Sequence, residues 1–124
     1  FKDPKRDSAL VSVAGPLSNF TFAFALSLLL RYVTPLMGPI SLLIDNILYY
    51  AVFINLALGV FNLLPLPPLD GSHILAFFLP PEYDHVMHSL ERYGFILLVF
   101  IIWFPATQFL LFKVINLLYK LLFL

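Results

Sequence analysis

The two longest stretches without a charged side chain constrain this fold more than any other feature of the sequence. They cover residues 8–30 and 46–69. About 20 mostly apolar residues suffice for an α-helix to cross the hydrocarbon core of a bilayer, at about 1.5 Å per residue. Hydrophobic residues make up 61% of the chain and charged residues only 11%, which is too few charges for a soluble surface. The sequence therefore predicts an integral, multi-pass membrane protein.

Prolines, glycines and charges divide the chain into helical segments. We predict an all-α fold, a polytopic transmembrane helical bundle with about three to four membrane segments and a proline-broken helix at the active site. The predicted segments are 8–31, 46–64 continuing after the break to 79, 93–104 and 106–124. The connection over residues 31–45 is predicted to turn at its prolines and glycine, and the charged residues 80–92 are predicted to form a solvated loop.

One face of the first segment carries small and polar residues. They recur every three or four positions, at Ser8, Ser12, Gly15, Asn19, Ala23 and Ser27. Such stripes let helices approach closely in lipid, and polar side chains on them bond across helices. We therefore predict that this face packs against other helices, and that Asn19 and Asn55 make interhelical hydrogen bonds.

Asp70 lies two residues after a proline-rich break, residues 65–68, at the end of the second uncharged stretch. Broken backbone at membrane depth is tolerated only where protein or a water-filled cavity surrounds it. An ionisable group there costs about 2.5–3.5 kcal/mol on the insertion scale, so a functional role is the default interpretation. The carboxylate could bind a cation, a proton or a basic partner.

Two other interpretations of Asp70 stay open from the residues alone. Asp70 could cap a helix that begins at Gly71, because Asp is a favoured N-cap and helix N-termini attract negative charge. It could also be the functional carboxylate of a transporter segment, since transporters combine broken helices with charges at the bilayer midplane. A transporter of this kind has an internal repeat, and the sequence shows none.

Two motifs resemble signatures of the site-2 protease family of intramembrane zinc metalloproteases. The segment NLALGVFNLLPLPPLDGSHIL, residues 55–75, resembles the family's second signature, an Asn and a Pro followed by a proline-rich break and Leu-Asp-Gly. The segment VSVAGPLSNF, residues 11–20, resembles the Ala-Gly-Pro-x-x-Asn motif that opens the preceding helix in that family. Both motifs occur in the family's order.

The resemblance implies roles for two residues. Asp70 would be the third protein ligand of a catalytic Zn²⁺ ion, and Asn62 would be a catalytic residue that holds the scissile carbonyl or the oxyanion. A carboxylate with two histidines is a standard hydrolytic zinc set that leaves one position for water. The resemblance also implies a single-span transmembrane protein as substrate, the lipid bilayer as surroundings and a prokaryotic plasma membrane as location. The net charge of zero predicts no binding of nucleic acid.

The family's HExxH signature does not occur in these 124 residues. In the family it lies upstream of the Ala-Gly-Pro motif and supplies two histidine ligands and a glutamate base. We therefore predict that residues 1–124 are the C-terminal part of a membrane-embedded metalloprotease domain, inactive alone. A non-catalytic homologue of the same fold is the alternative.

The histidines of the chain could also complete a metal site without HExxH. Asp70 and His73 are three residues apart and could share a helical face, with His85 or His88 folding back as a further ligand. The plainer interpretation is that His73 is a helix residue and that the other two are solvated loop residues.

Overall fold

Five α-helices make up most of residues 3–124, the part of the chain that this computed structural model describes. They are α1 (Pro4–Tyr32), α2 (Ser41–Asn62), α3 (Asp70–Phe78), α4 (Asp84–Trp103) and α5 (Pro105–Leu122). Short 3₁₀ turns at Thr34–Leu36 and Gly38–Ile40 join α1 to α2, and another at Pro81–Tyr83 precedes α4. These residues contain no β-strand, which confirms the predicted all-α fold.

Three helical stretches are long and apolar enough to cross a membrane. They are Pro4–Leu36, Gly38–Asn62 and Pro81–Trp103. Large apolar side chains cover the outside of the bundle, with Phe100 71% and Trp103 79% exposed. Soluble proteins rarely leave such contiguous apolar surface open to water. The helices therefore confirm a transmembrane bundle, with three spans by length and composition.

The interface of α1 with its neighbours is built from the small-residue stripe. Ser12, Ala23 and Ser27 are buried, and Ser8, Gly15 and Asn19 are half-buried. α1 packs against both α2 and α3. Gly59 of α2 lies so close to α1 that an added Cβ would meet the Phe20 ring at 2.5 Å. The prediction that this face packs against other helices is confirmed.

Two apolar clusters hold the remaining helices. The first joins α1, α2 and α5 through the buried residues Ala23, Leu30, Val52, Leu56 and Ile115. The second joins the proline break to α4 through Leu66, Leu69 and Leu98. The break is therefore packed on protein, as irregular backbone in a membrane has to be.

The predicted loop over residues 80–92 is wrong beyond its first residues. Helix α4 begins at Asp84 and contains both His85 and His88. Charged residues do not end a helix by themselves, and an acidic residue in the first turn is stabilised by the helix dipole. Met87 and Gly94 are buried on one side of α4, while both histidines are exposed. The histidines are thus solvated, as predicted, but helical.

The start of the second membrane helix also differs from the prediction. α2 begins at Ser41, directly after the turn that contains Pro39, rather than at residue 46. Asp45 lies within the first turns of α2, because a single carboxylate does not terminate a helix. The break in the backbone therefore follows the proline and glycine signals and not the charge.

An ion pair between the starts of α1 and α4 is expected to contribute little to stability. Lys5 Nζ lies 2.6 Å from Asp84 Oδ1, with side chains 41% and 55% exposed. Exposed pairs of this kind contribute roughly 0.2–1 kcal/mol. We expect Lys5→Met to lower the free energy of unfolding in detergent by no more than about 1 kcal/mol. A larger loss would show that this pair holds α4 on the bundle.

Candidate metal centre

The chain between α2 and α3 turns back on the end of α2. Its backbone is closed by short hydrogen bonds, from Leu66 N to Leu64 O at 2.8 Å and from Leu69 N to Leu66 O at 2.9 Å. Leu66, Pro67 and Leu69 are buried. The prolines thus end α2, and local bonds satisfy much of the freed backbone.

Gly71 brings the first turn of α3 against the end of α2. A Cβ added at Gly71 would collide with the carbonyl oxygens of Leu63 and Leu64. Asp70 and Asn62 are each one residue away from this contact along the chain. The contact therefore places both predicted site residues at the junction of α2 and α3.

Gly71→Ala is expected to destabilise the fold strongly. The obstacle is backbone, which cannot rotate away, so α3 would have to move. Overpacking typically costs about 1–3 kcal/mol, and we expect at least the upper end of that range. Thermal unfolding followed by circular dichroism in detergent would measure it. Gly59→Ala is the matched control, because its new methyl group would meet the Phe20 ring, a side chain that can turn. If Gly59→Ala lowered stability as much as Gly71→Ala or more, the backbone contact at Gly71 would not be the cause.

The Asp70 carboxylate lies against the middle of α1. A Cβ added at Gly15 would be 2.6 Å from Asp70 Oδ2 and 3.6 Å from Asp70 Cγ. Gly15 is about 16 Å along the helix from Pro4, at about 1.5 Å per residue. Asp70 is half-buried. The carboxylate therefore lies against the interior of a helix that is long enough to span the bilayer.

The interpretation of Asp70 as an N-cap is wrong. Helix α3 begins at Asp70 itself, its N-cap residue is Leu69, and no side chain caps its amides. The charge still lies in the first turn, where the helix dipole stabilises an anion. Because no cap bond holds it, the carboxylate is available to another partner.

Asn62 is the last residue of α2 and is half-buried. Its Nδ2 donates to Leu58 O at 3.0 Å. A carboxamide has two N–H donors and one carbonyl acceptor. One N–H and the side-chain oxygen therefore remain for a ligand, while the bond to Leu58 orients the group.

Asn55 does not make the predicted interhelical bond with its amide nitrogen. Its Nδ2 donates to Ala51 O at 2.8 Å, one turn back in α2. An Asn side chain within a helix can bond the carbonyl four residues earlier, and this local bond takes the place of the predicted interhelical one. Asn19 is half-buried on the packed face of α1.

The histidines do not join Asp70 in a metal site. Within residues 3–124, no group of three or more His, Asp or Glu side chains is placed to hold a metal ion. His73 is exposed, and His88 Nδ1 lies 3.7 Å from Glu91 Oε2. His73 and His88 line a cavity of about 320 Å³ near the start of α1. The self-contained site considered from the sequence is therefore wrong.

Two glycines at this centre have roles that sequence reasoning missed. A Cβ at Gly94 of α4 would collide with the carbonyl oxygen of Pro67, so Gly94 lets α4 approach the break. Its signal was a lone glycine inside an otherwise helical pattern. The sequence indicates Gly15 as part of the small-residue stripe and of the Ala-Gly-Pro motif, but its contact with Asp70 joins residues far apart in sequence.

A family comparison identifies the chain through this same region. The family described as Peptidase family M50 matches residues 30–102. The chain belongs to peptidase family M50. The match contains α2, the break, Asn62 and Asp70. It confirms the resemblance to site-2 proteases and replaces the transporter alternative.

Individual relatives agree with the family. The chain is 37% identical over 120 residues to "Putative zinc metalloprotease YwhC" of Bacillus subtilis, covering 94% of this chain and 55% of that protein. It is 30% identical over 103 residues to "Putative zinc metalloprotease Rip2" of Mycolicibacterium smegmatis, covering 83% of this chain and 39% of that protein. It is 32% identical over 85 residues to "Zinc metalloprotease MJ0392" of Methanocaldococcus jannaschii, covering 68% of this chain and 24% of that protein.

The chain spans about half the length, or less, of these curated relatives. No solved structure matches it significantly.

A divalent metal ion could take one ligand from this centre. The Asp70 carboxylate occupies space that a Cβ at Gly15 would fill, and no cap bond competes for it. Carboxylate oxygen is a common zinc ligand, and catalytic zinc takes three protein ligands. Asp70 therefore fits one position of a zinc site, and further ligands have to complete it.

Proposed function

We propose that this chain is part of an intramembrane zinc metalloprotease and contributes Asp70 as one of three protein ligands of the catalytic zinc. The observation that carries the proposal is the carboxylate of Asp70 held against Gly15, in the middle of a membrane-length helix. Membership of peptidase family M50 and the zinc metalloprotease names of the relatives support it.

The remaining zinc ligands and the general base would come from an HExxH helix that these 124 residues do not contain. Two histidines and one carboxylate leave a fourth position open for water. The chain by itself is then expected to be inactive, because it has neither the histidine ligands nor the base.

The residues of this chain would have separate tasks in peptide hydrolysis. Bound zinc supplies an activated water and polarises the peptide carbonyl. Asp70 would hold the ion. Asn62 would donate its remaining N–H to the carbonyl oxygen of the scissile bond, since its other N–H is bonded to Leu58. The proline break would keep this polar centre covered by α1 and α4.

The proposed substrate is a single-span transmembrane protein whose peptide bond is cleaved within the bilayer. The position of Asp70 beside the uncharged part of α1 supports this, because its neighbour Gly15 lies about 12 Å along that helix from Asp7, the last charged residue before it. The proposed location is a prokaryotic plasma membrane, and the bacterial and archaeal sources of the relatives support it.

Cleavage in proteoliposomes tests the proposed function. The full-length protein would be reconstituted with a panel of single-span proteins tagged at both ends. We expect at least one to be cut within its membrane segment, with cleavage lost to a zinc chelator and restored by added Zn²⁺. Cleavage that survives zinc removal would contradict the proposal. A full-length sequence without HExxH would favour the non-catalytic homologue.

A further inference from the structure

The five glycines of the chain differ in what a Cβ would meet. At Gly71 and Gly94 the obstacle is backbone, and at Gly59 it is an aromatic ring. Outside the backbone of its own helix, a Cβ added at Gly15 would come within 4 Å of two atoms, Oδ2 and Cγ of Asp70. Gly15 is therefore the glycine whose missing side chain makes room for a candidate metal ligand.

We propose that Gly15 is a positioning residue that sets the orientation of the Asp70 carboxylate toward the zinc ion. This inference rests on the proposed function. Asp70 Oδ2 is the end of a short side chain that rotates about two bonds. A Cβ at Gly15 would turn the carboxylate aside before it separated the helices, so the effect falls on ligand geometry and not on the fold.

The cost of a glycine inside α1 supports this role. Gly in a helix interior is less favourable than Ala by about 1 kcal/mol, and Gly15 is a helical residue of α1. Close packing of backbone does not account for it, since the near atoms belong to the Asp70 side chain. The hydrogen atom in place of a side chain at Gly15 leaves room for the carboxylate against α1.

The test is Gly15→Ala in the full-length protein, with zinc affinity measured by chelator competition. The added methyl group would displace the carboxylate from its orientation, and disturbing the surroundings that orient a metal ligand typically costs about 10–100-fold in affinity, so we expect a loss in that range. Helix content should stay at the wild-type level. In protein loaded with Co²⁺, the visible absorption spectrum should change, because it reports the arrangement of the ligands.

Gly59→Ala is the matched control, because it adds the same methyl group to the α1–α2 interface against Phe20. Its zinc affinity and Co²⁺ spectrum should match those of the wild type. If Gly15→Ala also matched the wild type in both readouts, while Asp70→Asn lost zinc, the role of Gly15 would be overturned and the proposed function would stand. A wild-type protein that bound no zinc would overturn both.

A second variant covers the case in which Gly15→Ala does not fold. Asp70→Ala removes both atoms that the new Cβ would meet. The double variant Gly15→Ala/Asp70→Ala should then fold, which would support the direct contact. If the double variant also failed to fold, Gly15 would be needed for packing alone and the inference would be wrong.

Discussion

Asp70→Asn in the full-length protein is expected to weaken zinc binding by more than about 100-fold and to abolish cleavage. Loss of an outer partner alone costs about 10–100-fold, and loss of a direct ligand should cost more. Asn keeps the size of the side chain, and no cap bond of α3 is lost, since Leu69 is the N-cap residue. Chelator competition and cleavage in proteoliposomes would measure the two effects.

Asp45→Asn provides the control for a lost membrane carboxylate. Asp45 lies in α2, and its Oδ1 is buried with no hydrogen-bond partner among the described residues. The same substitution there removes one charge from a membrane helix without touching α3. We expect wild-type zinc affinity and cleavage. If both variants lost zinc equally, the loss in Asp70→Asn would come from removing a charge or disturbing the fold, and Asp70 would not be shown to be a zinc ligand.

Asn62→Ala is expected to lower kcat by about 10²–10³-fold, the usual effect of removing one oxyanion donor. Zinc affinity should stay at the wild-type level, because the proposed role of Asn62 is toward the substrate carbonyl. The prediction depends on the second N–H of the carboxamide, since the first is bonded to Leu58. Multiple-turnover cleavage at saturating substrate would measure kcat, and single-turnover cleavage would show that the loss lies in the cleavage step and not in product release.

Asn55→Ala is the matched control for that variant. Asn55 lies in the same helix and donates in the same way, to Ala51 O at 2.8 Å. Replacing it removes an equivalent bond at a position remote from the break. We expect cleavage close to wild type. Equal losses from Asn55→Ala and Asn62→Ala would mean that the bond stabilises α2 and that Asn62 has no role in the reaction.

The membrane fold could be predicted because it depends on local composition. In lipid every backbone group needs a hydrogen-bond partner within the protein, and an uncharged stretch of about 20 residues meets that need as a helix. The proline break was equally local, since proline lacks the amide that a helix interior requires. The small-residue stripe on α1 was local as well, because residues three or four apart lie on one face of a helix and small residues let that face approach another helix.

The errors concern features that packing decides. Residues 84–92 are polar enough for a loop, yet they extend α4 because Met87 and Gly94 pack on its buried side. Asn55 could bond another helix or its own, and only the structure shows which carbonyl it reaches. The contact between Gly15 and Asp70 joins α1 to α3, and no spacing within one helix could predict it.

The zinc content of the purified full-length protein tests the central claim most directly. The zinc content would be measured by elemental mass spectrometry. Wild type and Asp45→Asn should each carry about one zinc per chain, as a single catalytic site requires. Asp70→Asn, purified in parallel and with unchanged helix content, should carry almost none. Asp70→Asn with wild-type zinc content would show that this carboxylate is not a metal ligand.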